Sequence, residues 1–408
     1  MLTYRGMLTY EGAIRRLLRL VTPTEPETVP LAEAAGRVLA VPKVIAPADV
    51  PAFANSAMDG FAVRSPDLPG TLQVVGEVAA GVVRSETLAP GTALRIMTGA
   101  AIPPGADAVV PIEEATEEDG RVGIGSAVEP GRHVRGAGHD TRAGDEVCIA
   151  GELTPPRVAV LASLGYGSVA VRRRPRVAIL STGDELVEPG APLQPGQIHD
   201  ANGIALAAAV RECGAEPILV ARQPDDRAAI DAALREASAA ADLIVSSGGV
   251  SVGRHDHVRM LLEERGELGF WRVAVQPGKP LAMGMIHGTR LIGLPGNPVS
   301  ALVTFEIFVR PYLRVMLGLV GDGRMRCRAW PVARMEKDPS RRAYLRVSVW
   351  EEDGRIWAQS AGGQLSSQLR PMAEANALLV VPEGDDAAHE TLAYEAILLE
   401  PIHLGRGR

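Results

Sequence analysis

Residues 246–259 read "SSGGVSVGRHDHVR", a stretch whose residue types serve two different chemistries. His255, Asp256 and His257 are metal-ligating types. Gly248, Gly249 and Gly253, with Ser251 between them, are types that let backbone N–H groups close around a phosphate at a helix start. Three consecutive side chains entering a helix project in different directions, and no cysteine or further histidine lies at zinc spacing, so both histidines are expected at solvated positions. Asp256 differs, because a carboxylate beside a phosphate loop is what Mg2+ needs to bridge protein and phosphate. Taken alone, the glycines serve a tight turn equally well.

Other segments bring similar chemistry. "VQPGKPLAMG" carries Lys279 on a turn at a strand end, a point charge suited to an oxyanion, although a solvated surface lysine explains it equally. "GLPGNPVSALVTF" places Pro295, Gly296, Asn297 and Pro298 between a strand and a long helix, a second anion-ready turn. "ILSTGDELVEPG" ends another strand with Ser181, Thr182, Asp184 and Glu185. "HDANG" brings Asp200, read as a helix cap, and Asn202, readable as cap or site residue, to a helix start. Upstream, "FANSAMDGFAV" presents the carboxylate of Asp59 from a turn, and "RIMTGAAIPPGADAVVPIEE" restricts the backbone around Thr98 with Thr-Gly and Pro-Pro-Gly turns.

The elements that must hold these residues follow from periodicity. Residues 9–20 set Ile14, Leu17 and Leu18 at helical spacing behind a capping Thr9. Residues 46–146 change to short alternating Val-rich runs separated by Gly and Pro turns, which predicts a small β domain. Residues 147–174 predict a short helix opened by Thr154 and two prolines, then a strand, packing with residues 26–45. From Arg176 apolar strands alternate with amphipathic helices, the pattern of a parallel sheet covered on both faces, and such sheets bind ligands at the carboxyl ends of their strands. In that region "FWRVAV" reads as a strand. Beyond residue 322 strands and turns return.

Composition excludes several classes. With 408 residues, several domains are expected at about 150 residues each. A net charge of -7 argues against a broad nucleic-acid footprint, so phosphate recognition must be local and the ligand small. Cys148, Cys213 and Cys327 lie far apart outside metal or redox spacing, which suits reduced thiols and a cytoplasmic setting. No secretory signal is read at the start, and the repeat of "MLTYRG" as "MLTYEG" leaves Met7 as an alternative start. The most apolar helix, from residue 301, is broken by Glu306, Arg310, Pro311 and Arg314 and reads as a kinked helix of a soluble protein, not a membrane span.

With these motifs in order along almost the whole chain, the sequence resembles the molybdopterin molybdotransferase (MoeA) family, which includes the C-terminal domain of gephyrin. The resemblance implies a multidomain α/β and β fold. A three-layer α/β domain of molybdopterin-binding type would take residues 1–25 and 175–322, a connecting domain 26–45 and 147–174, an inserted β domain 46–146, and a C-terminal β barrel 323–408. It implies that molybdenum from molybdate is placed on adenylylated molybdopterin with release of AMP, late in molybdenum cofactor biosynthesis, with Mg2+ as cofactor. It also implies a homodimer with shared active sites. The expected partners are these two substrates and, transiently, molybdopterin-synthesis or molybdoenzyme-maturation proteins, with no nucleic acid and no membrane.

By motif, Asp59, Thr98, Asp256 and Lys279 match catalytic positions, with Asp256 and Glu185 on the metal. Arg135, Asp140, Thr182, Glu185, Asp225, Gly248, Gly249, Ser251, Gly253, Arg272, Pro295, Gly296, Asn297 and Pro298 match substrate-binding positions, and Arg342 and Ser367 match more loosely. Where many members have Lys-Pro-Gly-Lys-Pro this chain has "QPGKP". Gln276 thus replaces a positive charge near the anion, with Arg272 close by, so Gln276→Lys is expected to tighten molybdate binding. Two other readings remain: a nucleotidyl-type enzyme of the same α/β fold, resembling molybdopterin adenylyltransferase or a competence-protein-like domain, and a non-enzymatic cofactor carrier or scaffold. Neither nucleotidyl relative needs the "NSAMDG" β domain or the barrel.

Overall fold

Helix α1 (Tyr10–Leu18) starts where Thr9 Oγ1 accepts the Gly12 N–H at 3.1 Å, and it buries Ala13 and Leu17, as its spacing requires. The structure, a computed structural model, describes all residues except 1, 4–6, 20, 251–255 and 406–408. The chain divides into two units, Thr28–Val171 and Met1–Glu27 with Arg172–Arg408.

In the first unit, β1 (Gly60–Val63), β2 (Gly70–Val78), β3 (Thr92–Ile96), β4 (Ala108–Pro111), β5 (Thr116–Glu118) and β6 (Arg121–Ile124) form one sheet in the order β5-β6-β2-β3-β1-β4. Alternation along β1 sends Phe61 and Val63 into one core and Ala62 into another on the opposite face. A further core gathers Val29, Leu31, Leu39, Cys148 and Val169 around Leu161 of α2 (Pro155–Ser163). The prolines open α2 as expected, but the Thr154 side chain makes no capping bond.

The second unit is built on β7 (Arg176–Thr182), β8 (Glu216–Gln223), β9 (Leu243–Ser247), β10 (Glu267–Trp271), β11 (Ala282–Ile286) and β12 (Thr289–Leu294), in the order β8-β7-β9-β12-β11-β10. The first four are parallel. β11 runs against them and pairs antiparallel with both β12 and β10, so the sheet is mixed where the sequence pattern suggested a parallel one. The physical reason is the two-residue His287-Gly288 turn between β11 and β12, too short for a crossover and made possible by positive φ at both residues. Likewise only "FW" of "FWRVAV" belongs to this sheet, since Val275 and Gln276 leave it to pair with a barrel strand.

Helices cover both faces. α3 (Ala201–Glu212), α6 (Pro298–Thr304) and α7 (Arg310–Met316) lie with α1 over Ile179, Val245 and Ile292, while α4 (Arg227–Ala240) and α5 (His257–Arg265) cover Leu180, Ile244 and Leu291. A π-helical turn, Phe305–Val309, separates α6 from α7. Its buried Glu306 pairs with Arg310 at 2.7 Å and with Arg324, which is how this apolar stretch carries charges inside a core. Among the described residues no helix is long and apolar enough to cross a membrane.

The barrel closes from β13 (Arg326–Pro331), β14 (Arg342–Glu352), β15 (Arg355–Ser360), β16 (Ala377–Val381) and β17 (Tyr394–Leu398) in the ring β14-β15-β13-β17-β16-β14. Tyr344, Leu378 and Ile397 join its outer face to the core beneath α7.

Candidate active site

The parallel strands end level: Ser181 pairs with Ser247, and Ser247 with Leu294. The loops that follow therefore leave the sheet at one height and enclose a cleft of about 630 Å³. Among the expected site residues, Thr182, Glu185, Asp225, Gly248, Gly249, Asp256, Pro295, Gly296, Asn297, Pro298 and Ser367 line it. Ser251, Gly253 and His255 lie outside the described residues.

Hydrogen bonds fix these loops. Asp200 caps α3 by accepting the Gly203 N–H at 2.9 Å and the Ser181 hydroxyl at 3.1 Å, so its role is the cap. Asn202 does something different: its Nδ2 donates to Ser247 Oγ at 2.8 Å and to the Gly296 carbonyl at 2.7 Å, stitching two strand-end loops to the start of α3. Asp184 accepts the Asp225 N–H at 2.9 Å and so holds the loop that carries Asp225 into the cleft. Asp256 is buried at the start of α5 with 8% exposure.

Three expectations change. His257 is not solvated: it is partly buried, and its Nε2 lies 3.1 Å from the Asp225 carbonyl, because the first residue of α5 packs against the neighbouring loop. One donor expected of the glycine loop is already used, since the Gly248 N–H donates to the Leu294 carbonyl at 3.1 Å. At the second turn the Val299 N–H donates to the Ser366 carbonyl at 3.2 Å. Finally, Gln276 faces the barrel, where its Oε1 accepts the Asp338 N–H at 3.2 Å. The glycines are nevertheless obligatory. Gly248 has φ +93°, and a Cβ there would lie 2.8 Å from Thr182 Oγ1. That hydroxyl is buried, lines the cleft and has no hydrogen-bond partner among the described residues, an orphan that a ligand oxygen would satisfy.

The remaining expected residues lie elsewhere. Lys279 is exposed on the turn just before the cleft-lining Pro280. Arg272 has φ +71°, and its N–H donates to the Leu281 carbonyl at 3.2 Å. Arg342 does not line the cleft: Glu11 holds its guanidinium at 2.6 Å and Glu383 at 3.3 Å, and it lies 5.1 Å from the centre of the Tyr10 ring. Asp59, Thr98, Arg135 and Asp140 belong to the other unit. There Asp59 Oδ1 accepts both the N–H of Thr98 at 2.6 Å and its hydroxyl at 2.9 Å. Those two bonds, the backbone one foremost, hold the exposed Asp59 carboxyl below its ordinary range. Arg135 pairs with Asn55 in a two-residue ladder, and the Asp140 N–H donates to the Val50 carbonyl at 3.0 Å. Sequence reasoning undervalued Asn202, Asp184, His257 and Ser366. Asn202 and Asp184 stood inside quoted motifs, whereas nothing local marks His257 or Ser366 as structural.

Residues 8–165 match the MoeA N-terminal region (domain I and II), residues 178–315 a probable molybdopterin binding domain, and residues 332–390 the MoeA C-terminal region (domain IV). The chain is 42% identical over 393 residues to molybdopterin molybdenumtransferase 2 of Mycobacterium tuberculosis, covering 93% of this chain and 96% of the relative. It is 40% identical over 398 residues to the molybdopterin molybdenumtransferase of Haemophilus influenzae, covering 95% and 98%. Its fold is similar to a solved MoeA molybdopterin biosynthesis protein from Pyrococcus horikoshii, with TM-score 0.84 at 32% identity over 97% of this chain and 100% of that one. Matched along nearly its whole length in sequence and fold, the chain belongs to the MoeA family of molybdenum cofactor biosynthesis, whose curated members are named molybdopterin molybdenumtransferases.

Proposed function

We propose that this protein is a cytoplasmic transferase that places molybdenum from molybdate on adenylylated molybdopterin and releases AMP. One observation carries the reading: the carboxylates of Glu185, Asp225 and Asp256, the orphan hydroxyl of Thr182 and the Pro295–Pro298 turn converge on one cleft at the ends of parallel strands. A nucleotide-linked pterin offers that cleft phosphate oxygens for Thr182 and a pyrophosphate charge that needs a counter-ion. The donor set fits Mg2+. Among the described residues no cluster of three or more His, Cys, Asp or Glu has metal-holding geometry, and Mg2+ characteristically uses one or two carboxylates together with substrate phosphates. Asp256 and Glu185 would hold it, and when bound it supplies neutralisation of the pyrophosphate charge. Lys279, beside the cleft-lining Pro280, supplies a cation for the oxyanion.

Asp59 and Thr98 form a rigid, ionised turn in the other unit, and in this reading they serve the cleft of a second subunit in a homodimer. The test is a single incubation with adenylylated molybdopterin, molybdate and Mg2+, following AMP release and molybdenum-loaded cofactor together. Pyrophosphate release from ATP and molybdopterin would instead favour the adenylyltransferase reading, and tight binding without turnover the carrier.

A further inference from the structure

Arg346 is the bulkiest fully buried side chain among the described residues, with 1% exposure, and no carboxylate pairs with it there. Its Nη2 donates to two carbonyls, Gly363 at 3.2 Å and Leu365 at 3.3 Å, while its Nε has no partner. Burial without a counter-ion lowers its pKa to about 10. Such a cation is costly, and this buried place, on the same outer face of β14 as Tyr344, would be served better by an apolar residue unless the carbonyls it grips matter.

The local chain path shows what those carbonyls do. The register of β15 on β14 ends at Ser360 against Val347, and beyond it the Ala361 N–H still donates to the Arg346 carbonyl at 3.1 Å. The Gln364 carboxamide completes the pairing, accepting the Arg346 N–H at 3.1 Å and sharing the Arg346 carbonyl, to which it donates at 2.9 Å. One residue past Leu365, Ser366 meets the Pro-Gly-Asn-Pro turn: its Oγ accepts from Asn297 Nδ2 at 3.1 Å and its carbonyl from the Val299 N–H. The next residue, Ser367, lines the cleft.

We propose that Arg346 is a positioning residue of the cleft: its guanidinium fixes the carbonyls of Gly363 and Leu365 and so sets where Ser366 and Ser367 meet the Pro295–Pro298 turn. The inference rests on the cleft being the substrate site. It makes the barrel a wall of that site.

The test compares Arg346→Met and Arg346→Lys with the parent protein by amide hydrogen exchange, thermal melting and steady-state kinetics. In Arg346→Met, exchange across residues 361–369 should quicken about tenfold or more with little change elsewhere, because only that loop loses its anchor. KM for adenylylated molybdopterin should rise about tenfold with kcat within about threefold, the signature of a misplaced binding wall. Melting should stay close to the parent, since an apolar replacement of a buried charge is commonly neutral. Arg346→Lys, which keeps one donor, should recover part of both effects. Parent-like exchange in residues 361–369 of Arg346→Met overturns the proposal, and so does quickened exchange with an unchanged KM. If Arg346→Met does not fold, Arg346→Lys decides by the same two readings. The exchange measurement needs no turnover, so an inactive parent would count against the functional reading and leave the role of Arg346 separately testable.

Discussion

At the scale of single residues, the charged groups nearest the expected chemistry are controlled by hydrogen bonds. Asp59 keeps its carboxylate ionised into acid because Thr98 donates twice to one oxygen. Thr98→Val removes the hydroxyl and leaves the N–H, so the Asp59 midpoint should rise yet stay below the ordinary carboxylate range, as followed by carboxyl NMR titration. The sign is that of a depressed carboxylate. Its contribution to stability is present above the unfolded-state pKa and is lost as pH falls through the folded one, and Thr98→Val should move that loss to higher pH. A midpoint that does not move would mean that the hydroxyl bond is absent in solution. Gln276 gives a second case. Asp338 is held at about 2 by the hydroxyl and N–H of Ser340, with Arg341 adding to it, so a lysine at position 276 would meet an ionised carboxylate. Gln276→Lys should therefore leave the molybdate concentration for half-maximal rate within about twofold of the parent, where the sequence alone suggested tighter binding. A clear drop in that concentration would put the residue back beside the anion.

At the scale of elements, the cleft depends on strands that end level and on turns that leave no room for side chains. A Cβ on Gly248 would press on both the hydroxyl and the carbonyl of Thr182, at 2.8 and 3.0 Å, from a backbone at φ +93°. Gly248→Ala should cost about 2 kcal/mol or more of unfolding free energy in denaturant titration and abolish turnover, and a neutral effect would contradict the packing described. These glycines were legible in the sequence, as were α1 with its Thr9 cap, the strand-rich character of residues 46–146 and the strand-end turns, because each is written in local periodicity or turn chemistry. What was not legible depends on contacts remote in sequence. The antiparallel edge of the sheet is the exception, set by the local His287-Gly288 turn. The packing of His257 on the Asp225 loop spans 32 residues, and that of Gln276 on Asp338 spans 62. The loss of the Gly248 N–H to Leu294 is a pairing of β9 and β12 that no glycine motif announces.

At the scale of the whole molecule, the expected site residues fall into two groups in separate units, Asp59 with Thr98 and the cleft with Asp256. A homodimer that shares its sites predicts complementation. Subunits carrying Asp59→Asn and subunits carrying Asp256→Asn, each inactive alone, should recover about a quarter of parental activity when mixed in equal amounts and refolded together, since about half of the dimers are mixed and each of these retains one of its two sites. No recovery, with mixed dimers verified by mass, would count against sharing. The proposed function has adenylylated molybdopterin react in the cleft built by β7, β9 and β12, with Asp256 as its essential carboxylate. It is tested most directly by AMP release at saturating Mg2+ from the parent, Asp256→Asn and His257→Ala. The account predicts a fall of at least about a hundredfold for Asp256→Asn, the scale of losing charge stabilisation in a transition state, and a smaller loss of about tenfold for His257→Ala, which acts only through the Asp225 loop. Parent-like AMP release by Asp256→Asn, or a greater loss in His257→Ala than in Asp256→Asn, would contradict it.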